Sequence, residues 1–346
     1  MKISVILPVR NPDPSLLNRA LDSIYEQTYS DYEILLVNDG SDTLHTEGLR
    51  AVAEHNSAVR LFVIEPSGVS AARNLAADMA EGEILTYLDA DDFLSPVCFE
   101  EAVRVFENTD VDAVWGGTLY GPEEELLRIR GSHSERSAYD TEELRKRLLI
   151  IDNDRKHISR AECIGEPCRF ENGIYISRGI AGRFIRKDKL AETGIVFPQG
   201  IRYYEDAIWN LKMLDSMKVA YLDSEWYYYL ENEASVSNSY NPDMVSELED
   251  PLAVIRKLID MNNKEEYAGY TGLLMDSLRY VSRCLLNNPK WTASSDEKRK
   301  LEKHLYREEP WREIGTDKYR IHARTRDCRK AALYRKKLLL FVWKYK

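Results

Sequence analysis

The sequence predicts an α/β protein, a mostly parallel sheet with helices on both faces, joined to a helical C-terminal region. Three observations predict it. Short apolar runs alternate with amphipathic stretches through the first third of the chain, polar clusters follow directly on those apolar runs, and beyond Asn241-Pro242 the pattern turns helical.

The elements follow in order. Ile3 to Leu7 has the continuous apolar character of a buried strand and is stopped by Pro8 and Asn11-Pro12. Leu16 to Tyr25 repeats apolar residues at Leu16, Leu17, Ala20, Leu21 and Ile24, a helical period. Glu33 to Val37 is a second strand, closed by Asn38-Asp39-Gly40-Ser41, and a helix runs through Leu49 to His55. Val59 to Ile64 is a third strand, Ser70 to Met79 a helix and Ile84 to Leu88 a fourth strand. Strands alternating with helices imply a parallel sheet, and such sheets bind ligands outside the carboxyl ends of their strands. Asn11, Asp39 and Asp89-Ala90-Asp91-Asp92 all follow those ends. Farther on, Gly121 to Asp140 reads as a polar loop or short hairpin, and Asp206 to Met217 as a helix. Leu252 to Met261 and Leu273 to Leu286 are further helices, with a linker at Pro289 and Thr292 to Asp296.

The chain of 346 residues is 44% hydrophobic and 31% charged, which suits one large globular domain or two modest ones. Its net charge of −10 argues against a general nucleic-acid binder. That charge is uneven. Residues 324–346 carry nine Lys or Arg against the single acid Asp327, leaving the rest strongly acidic. The five cysteines, Cys98, Cys163, Cys168, Cys284 and Cys328, are too scattered for a disulfide framework. Cys163 and Cys168 have no second Cys/His pair beside them and read as ordinary thiols. The N-terminus reads as a strand with no cleavage site, and no apolar run reaches bilayer-spanning length. These features predict a cytoplasmic protein.

Tyr87-Leu88-Asp89-Ala90-Asp91-Asp92 runs a buried strand into three carboxylates. Like charges that close repel unless something neutralises them. Mg²⁺ or Mn²⁺ would do so, because these cations take oxygen ligands and bind one or two carboxylates together with substrate phosphates. The same run also reads as a solvated acidic turn capping a helix at Phe93. Asp39, at the end of the second strand, is placed to accept hydrogen bonds from a base or ribose, and equally to make an ordinary Asx turn.

Together these pieces resemble glycosyltransferase family 2. The matching residues are Pro8-Val9-Arg10-Asn11, Ser23 to Tyr29, Tyr32 to Asp42, Gly68-Val69-Ser70-Ala71-Ala72-Arg73-Asn74, and Gly82 to Asp92. A looser match continues to Ser237. The resemblance implies the GT-A nucleotide-diphospho-sugar transferase fold over residues 1–240, with a nucleotide-binding half at 1–110 and an acceptor half at 111–240. A helical extension with its basic tail then occupies 241–346. It also implies site residues. Pro8, Val9 and Asp39 would line the nucleobase pocket, and Asn11 would belong to the same edge. Gly68 and Arg73 would border the nucleotide. Asp89 would approach the ribose with Ala90 beside it, and Asp91 would bind the divalent metal, Mn²⁺ or Mg²⁺, through the diphosphate.

Phe197 to Asp206 contains two adjacent acids opening a helix, which by themselves read as acids suited to the helix dipole. Family members that build surface polysaccharides carry a similar aromatic-Glu-Asp segment, and by that resemblance Asp206 would be the catalytic base. Gly182-Arg183-Phe184-Ile185-Arg186-Lys187 resembles the family's link between donor and acceptor halves, and its cations would face diphosphate or acceptor, or else solvent.

The implied activity is inverting transfer of a sugar, with a UDP-sugar as the expected donor, to a hydroxyl of a saccharide or lipid-linked saccharide acceptor in polysaccharide synthesis. Two departures stand out. Arg10 replaces a usual aromatic, and Tyr227-Tyr228-Tyr229 is followed by Leu230-Glu231 where many relatives have basic residues. Two other functions stay open. A nucleotidyltransferase would need a Gly-rich loop where Pro8-Val9-Arg10-Asn11-Pro12 stands. A catalytically degenerate sugar-nucleotide binder would fit the missing basic positions. The tail, ending Leu338-Leu339-Leu340-Phe341-Val342-Trp343-Lys344-Tyr345-Lys346, reads either as an amphipathic helix on an anionic inner-membrane face or as a helix packed on the body.

Overall fold

A computed structural model describes residues 1–133, 148–150, 168–169, 175–176, 179–230, 239–316 and 318. Cys163, Cys328, residues 231–238 of the tyrosine-rich motif and the basic 324–346 segment lie outside the described residues. The described residues fall into two units. One holds 1–133, 148–150, 168–169, 175–176, 179–200 and 209–230, and the other holds 201–208, 239–316 and 318.

The first unit opens with β1 (Ile3–Val9), α1 (Pro14–Tyr25), β2 (Tyr32–Asp39), α2 (Thr43–His55), β3 (Val59–Ile64), α3 (Val69–Met79) and β4 (Ile84–Tyr87). β1 pairs in parallel with β2 on one side and β4 on the other, and β3 extends the sheet beyond β2. The chain therefore reverses direction of growth at β1, which makes the crevice between the ends of β1 and β4 a topological switch point. Ile3, Val5 and Leu7 of β1 face the main core with Ile34, Leu36 and Ile84, while Ser4 and Ile6 are buried on the opposite face. Each fully buried Leu, Ile or Val stabilises the fold by roughly 1.5–3 kcal/mol relative to exposure.

Local caps start these helices. The Asp13 carboxylate accepts from the N–H groups of Ser15 and Leu16 at the head of α1, and Asp42 does so from His45 at α2. Such caps satisfy backbone donors that have no partner within the helix.

Beyond β4 the sheet becomes mixed. β5 (Phe93–Leu94), α4 (Cys98–Asn108), β6 (Ala113–Gly121) and α5 (Glu123–His133) come first. The short strands β7 (Leu148–Ile150), β8 (Cys168–Arg169) and β9 (Tyr175–Ile176) are followed by β10 (Arg183–Arg186) and α6 (Lys187–Thr193). α7 (Glu205–Ser216) and β11 (Val219–Leu230) complete the sequence of elements. The sheet order is β3-β2-β1-β4-β10-β6-β11-β5. β10 lies antiparallel between β4 and β6, and β11 runs parallel to β6.

Two expectations are corrected here. Residues 123–133 form a helix and not a loop or hairpin. Three glutamates fill its first turn behind Pro122, and buried Leu126 packs against Phe93 and Tyr228. The acidic run at 89–92 does not cap a helix at Phe93. It leads into β5, and the next helix begins at Cys98.

The second unit is helical where it is described beyond residue 239. α8 (Met244–Leu258) and α9 (Lys264–Tyr280) come first, and α9 runs into a π-helical turn at Val281–Leu286. α10 (Ser295–Arg307) starts on a capping box between Ser294 and Glu297. Glu249 of α8 accepts hydrogen bonds from His304 Nε2 and Trp311 Nε1, both at 2.6 Å, and so joins α8, α10 and the turn at Trp311–Gly315. Among the described residues no helix is long and apolar enough to cross a membrane.

Candidate active site

The carboxyl ends of β1, β2 and β4 bring three loops to one edge of the first unit. At the end of β1, Pro8 is half-exposed, whereas Val9 is 4% exposed and packs in the main core. Pro8 rather than Val9 therefore presents its side chain at that edge. Asn11 stands in a left-handed conformation with φ of 45°. Its N–H donates to Ser41 Oγ at 2.8 Å, and its Oδ1 accepts from the Asp42 N–H at 2.9 Å. These bonds tie the β1 loop to the β2 loop.

Asp39 ends β2 and is buried. Its Oδ1 accepts the Ser67 N–H at 2.6 Å, and its carboxylate takes the Gly68 N–H at 3.0 and 3.2 Å. The carboxylate thus organises the turn that precedes α3, a task not evident from its sequence neighbours. Two glycines make the arrangement possible. Gly40 has φ of 71°, and a Cβ there would lie 2.3 Å from Pro66, so a side chain would collide with the neighbouring loop. Gly68 has φ of 87° at the head of α3.

Arg73, on α3, is almost fully buried. Its guanidinium donates to Asp89 Oδ1 at 3.0 Å and lies 5.3 Å from the centroid of the Phe197 ring. Phe197 stacks on Trp209 at 4.6 Å, and Tyr87 meets both rings edge-on. Asn74 holds Phe197 by its backbone, accepting the Phe197 N–H at 2.8 Å and donating to its carbonyl at 2.9 Å. Asn74 carries no role in the sequence reading, and the only signal for it there was its place next to Arg73.

The acidic turn follows β4. The Asp92 N–H donates to the Asp89 carbonyl at 3.1 Å, closing the turn. Asp89, Ala90 and Asp91 are half-buried, and Asp92 is 2% exposed. The Asp92 carboxylate accepts the Tyr227 hydroxyl at 2.7 Å and the Leu230 N–H at 3.0 Å. Burial, then the charges of Asp91 and Asp89, push the Asp92 carboxyl well above the ordinary range. Asp91 is also raised, first by burial and then by Asp89. Among the described residues the Asp91 carboxylate has no cationic partner, and the hydrogen bond that favours its ionised form comes from its own N–H.

These oxygens suit a hard divalent cation. Among the described residues no three His, Cys, Asp or Glu side chains are grouped to hold a metal by themselves. A cation at Asp91, with Asp89 nearby, would take its other ligands from diphosphate oxygens and water, which is how Mg²⁺ is ordinarily held beside a nucleotide.

The cations of the 182–187 segment do not line this edge as free groups. Arg183 is fully buried with its guanidinium 3.8 Å from the Trp115 ring centroid. Arg186 donates to the carbonyls of Val111 and Phe106, and Lys187 Nζ to that of Ala80. The Lys187 N–H bonds Glu83, at the opposite end of β4 from the acidic turn. Arg186 and Lys187 thus satisfy carbonyls near the ends of α4 and α3, where cations are favoured. The expectation that they face diphosphate, acceptor or solvent is corrected accordingly.

Asp206 belongs to the second unit, in the first turn of α7 after Tyr204, whose φ is 61°. It is half-buried, and its Oδ1 accepts the Ala207 N–H at 2.7 Å.

Residues 4–163 match the family model described as Glycosyl transferase family 2. The uncharacterized glycosyltransferase EpsJ of Bacillus subtilis is 26% identical over 253 residues, 71% of this chain and 66% of its own length. The uncharacterized glycosyltransferase YibD of Escherichia coli is 24% identical over 237 residues, 68% of this chain and 63% of its own length. The chain therefore spans a little under two thirds of these curated relatives. Among solved structures, residues 1–349 of S. aureus TarS in complex with UDP-GlcNAc superpose with a TM-score of 0.59 at 18% identity, covering 100% of this chain and 91% of that one. The shared fold is that of the GT-A glycosyltransferases. An acidic turn thus stands at the switch point of a GT-A sheet, and residues 4–163 carry the pattern of glycosyltransferase family 2.

Proposed function

We propose that the chain is an inverting glycosyltransferase that moves a sugar from a UDP-sugar to an acceptor hydroxyl with the help of a divalent cation. The observation that carries this reading is the acidic turn. Asp91 is half-buried at the carboxyl end of β4, beside Asp89, with no cationic partner among the described residues. An uncompensated carboxylate in that place is costly unless a cation joins it.

The chain's residues divide the work. Pro8, Asn11 and the Asp39 turn sit at the edge where a base and ribose would lie, and Arg73 holds Asp89 in place. A bound Mn²⁺ or Mg²⁺ would stabilise negative charge on the departing diphosphate as a Lewis acid. The Asp206 carboxylate would accept the acceptor's hydroxyl proton as that oxygen attacks the anomeric carbon. The bond from that carbon to the diphosphate oxygen breaks as the new one forms, so a single displacement inverts the centre. The acceptor we assign is a saccharide or lipid-linked saccharide of a surface or secreted polysaccharide. Contact of the basic 324–346 segment with anionic lipid would bring the enzyme to a lipid-linked acceptor, a reading supported by its composition alone.

Release of UDP from a panel of UDP-sugars, assayed with Mn²⁺ and with chelator, tests the reading. Metal-dependent release is expected. A nucleotidyltransferase would instead release pyrophosphate from a triphosphate, and a degenerate binder would bind UDP-sugar without turnover.

A further inference from the structure

Tyr227 lies in β11, is 1% exposed, and is 138 residues from the start of the acidic turn in sequence. Its hydroxyl accepts the Asp89 N–H at 3.3 Å and donates to Asp92 Oδ2 at 2.7 Å. The other Asp92 oxygen takes the Leu230 N–H, from the same strand. One phenol thus grips the first backbone donor and the last carboxylate of a four-residue turn, with Asp91 between them. No Lys or Arg pairs with Asp92 among the described residues, so neutral donors from β11 do the holding. A buried carboxylate without such donors is expensive. Three acids this close would otherwise relax by swinging outward to water.

We propose that Tyr227 is a positioning residue for the cation site, its hydroxyl holding the Asp89–Asp92 turn in the conformation that presents Asp91 to a divalent metal. This rests on the metal-dependent reading above. Groups that orient metal ligands without touching the metal typically govern affinity by about 10- to 100-fold. Tyr228 offers a control. It is the next residue in β11, it stacks on Phe93 at 5.1 Å, and it makes no hydrogen bond to the acidic turn.

The experiment titrates Mn²⁺ in the presence of UDP and reads free Mn²⁺ by its paramagnetic resonance signal, in the parent, Tyr227→Phe and Tyr228→Phe. Tyr227→Phe is expected to weaken Mn²⁺ by about 10- to 100-fold. Its UDP affinity in chelator should be unchanged, and its kcat should recover at saturating Mn²⁺. Tyr228→Phe should bind Mn²⁺ as the parent does. A purely structural tyrosine would lower the melting temperature and leave Mn²⁺ affinity alone, and that result overturns the proposal. Asp92→Asn probes the same clamp from its other side and should shift Mn²⁺ affinity in the same direction, so the question stays answerable if Tyr227→Phe folds poorly. A parent that binds no Mn²⁺ with UDP overturns the metal reading itself, whereas a metal-binding parent with an unaltered Tyr227→Phe overturns only the role of Tyr227.

Discussion

Asp39→Ala separates the task that the structure shows for this carboxylate, holding a turn, from the one proposed for it, binding a base. In the free protein Asp39 accepts the N–H groups of Ser67 and Gly68. Bonds to a charged acceptor contribute about 1.5–3 kcal/mol each when buried. Ser67 and Gly68 are exposed, so water replaces part of what is lost, and about 2 kcal/mol for the pair is the expected destabilisation. Asp39→Asn keeps one accepting oxygen and should cost about half of that. If Asp39 also accepts the ring N–H of a uracil, Asp39→Ala should weaken UDP by a further 1–3 kcal/mol or so, roughly 5- to 150-fold. The two effects differ in selectivity. A loosened turn weakens UDP and CDP alike, but loss of a base contact removes the preference for UDP, because cytosine has no N–H at that ring position. Calorimetric titration of both nucleotides, with melting of the free protein, reads both. Unchanged melting refutes the turn's dependence on Asp39. A UDP/CDP ratio equal in parent and variant refutes the base role.

Three further outcomes follow from the site. Asp206→Asn keeps size and polarity but removes the proposed base, so calorimetry should show donor and Mn²⁺ binding intact while kcat falls by about 10²–10⁴; transfer at the parental rate would place the base elsewhere. Asp91→Ala should abolish metal-dependent transfer without lowering the melting temperature of the free protein, since burial and Asp89 already disfavour that charge in the fold. A marked fall in melting temperature would make Asp91 a structural residue. Deleting residues 324–346 should release the protein from vesicles rich in anionic lipid, in a sedimentation assay; loss of cooperative melting would instead show a helix packed on the body.

The sequence by itself determined the parallel part of the sheet, β1 to β4. β1, β2, β3 and β4 each follow from a local apolar run, and α1 and α3 from a helical period, because periodicity is written within a few consecutive residues. The positions of Asn11, Asp39 and Asp91 were legible for the same reason, since each stands at a strand end or just beyond one. α5 was readable in principle from Pro122 and the three glutamates after it, but its polar composition masked the one buried leucine that anchors it. The tertiary structure alone decided what the acids do. Asp92 is a buried structural carboxylate because Tyr227 and Leu230 reach it from β11, and Asp39 is held by a turn 28 residues away. Arg186 and Lys187 look in sequence like cations waiting for a phosphate, yet they end on backbone carbonyls. The antiparallel insertion of β10 between β4 and β6 was likewise invisible. Strand neighbours, and the partner of a buried charge, are chosen by long-range hydrogen bonds and desolvation, and neither leaves a periodic trace in the chain.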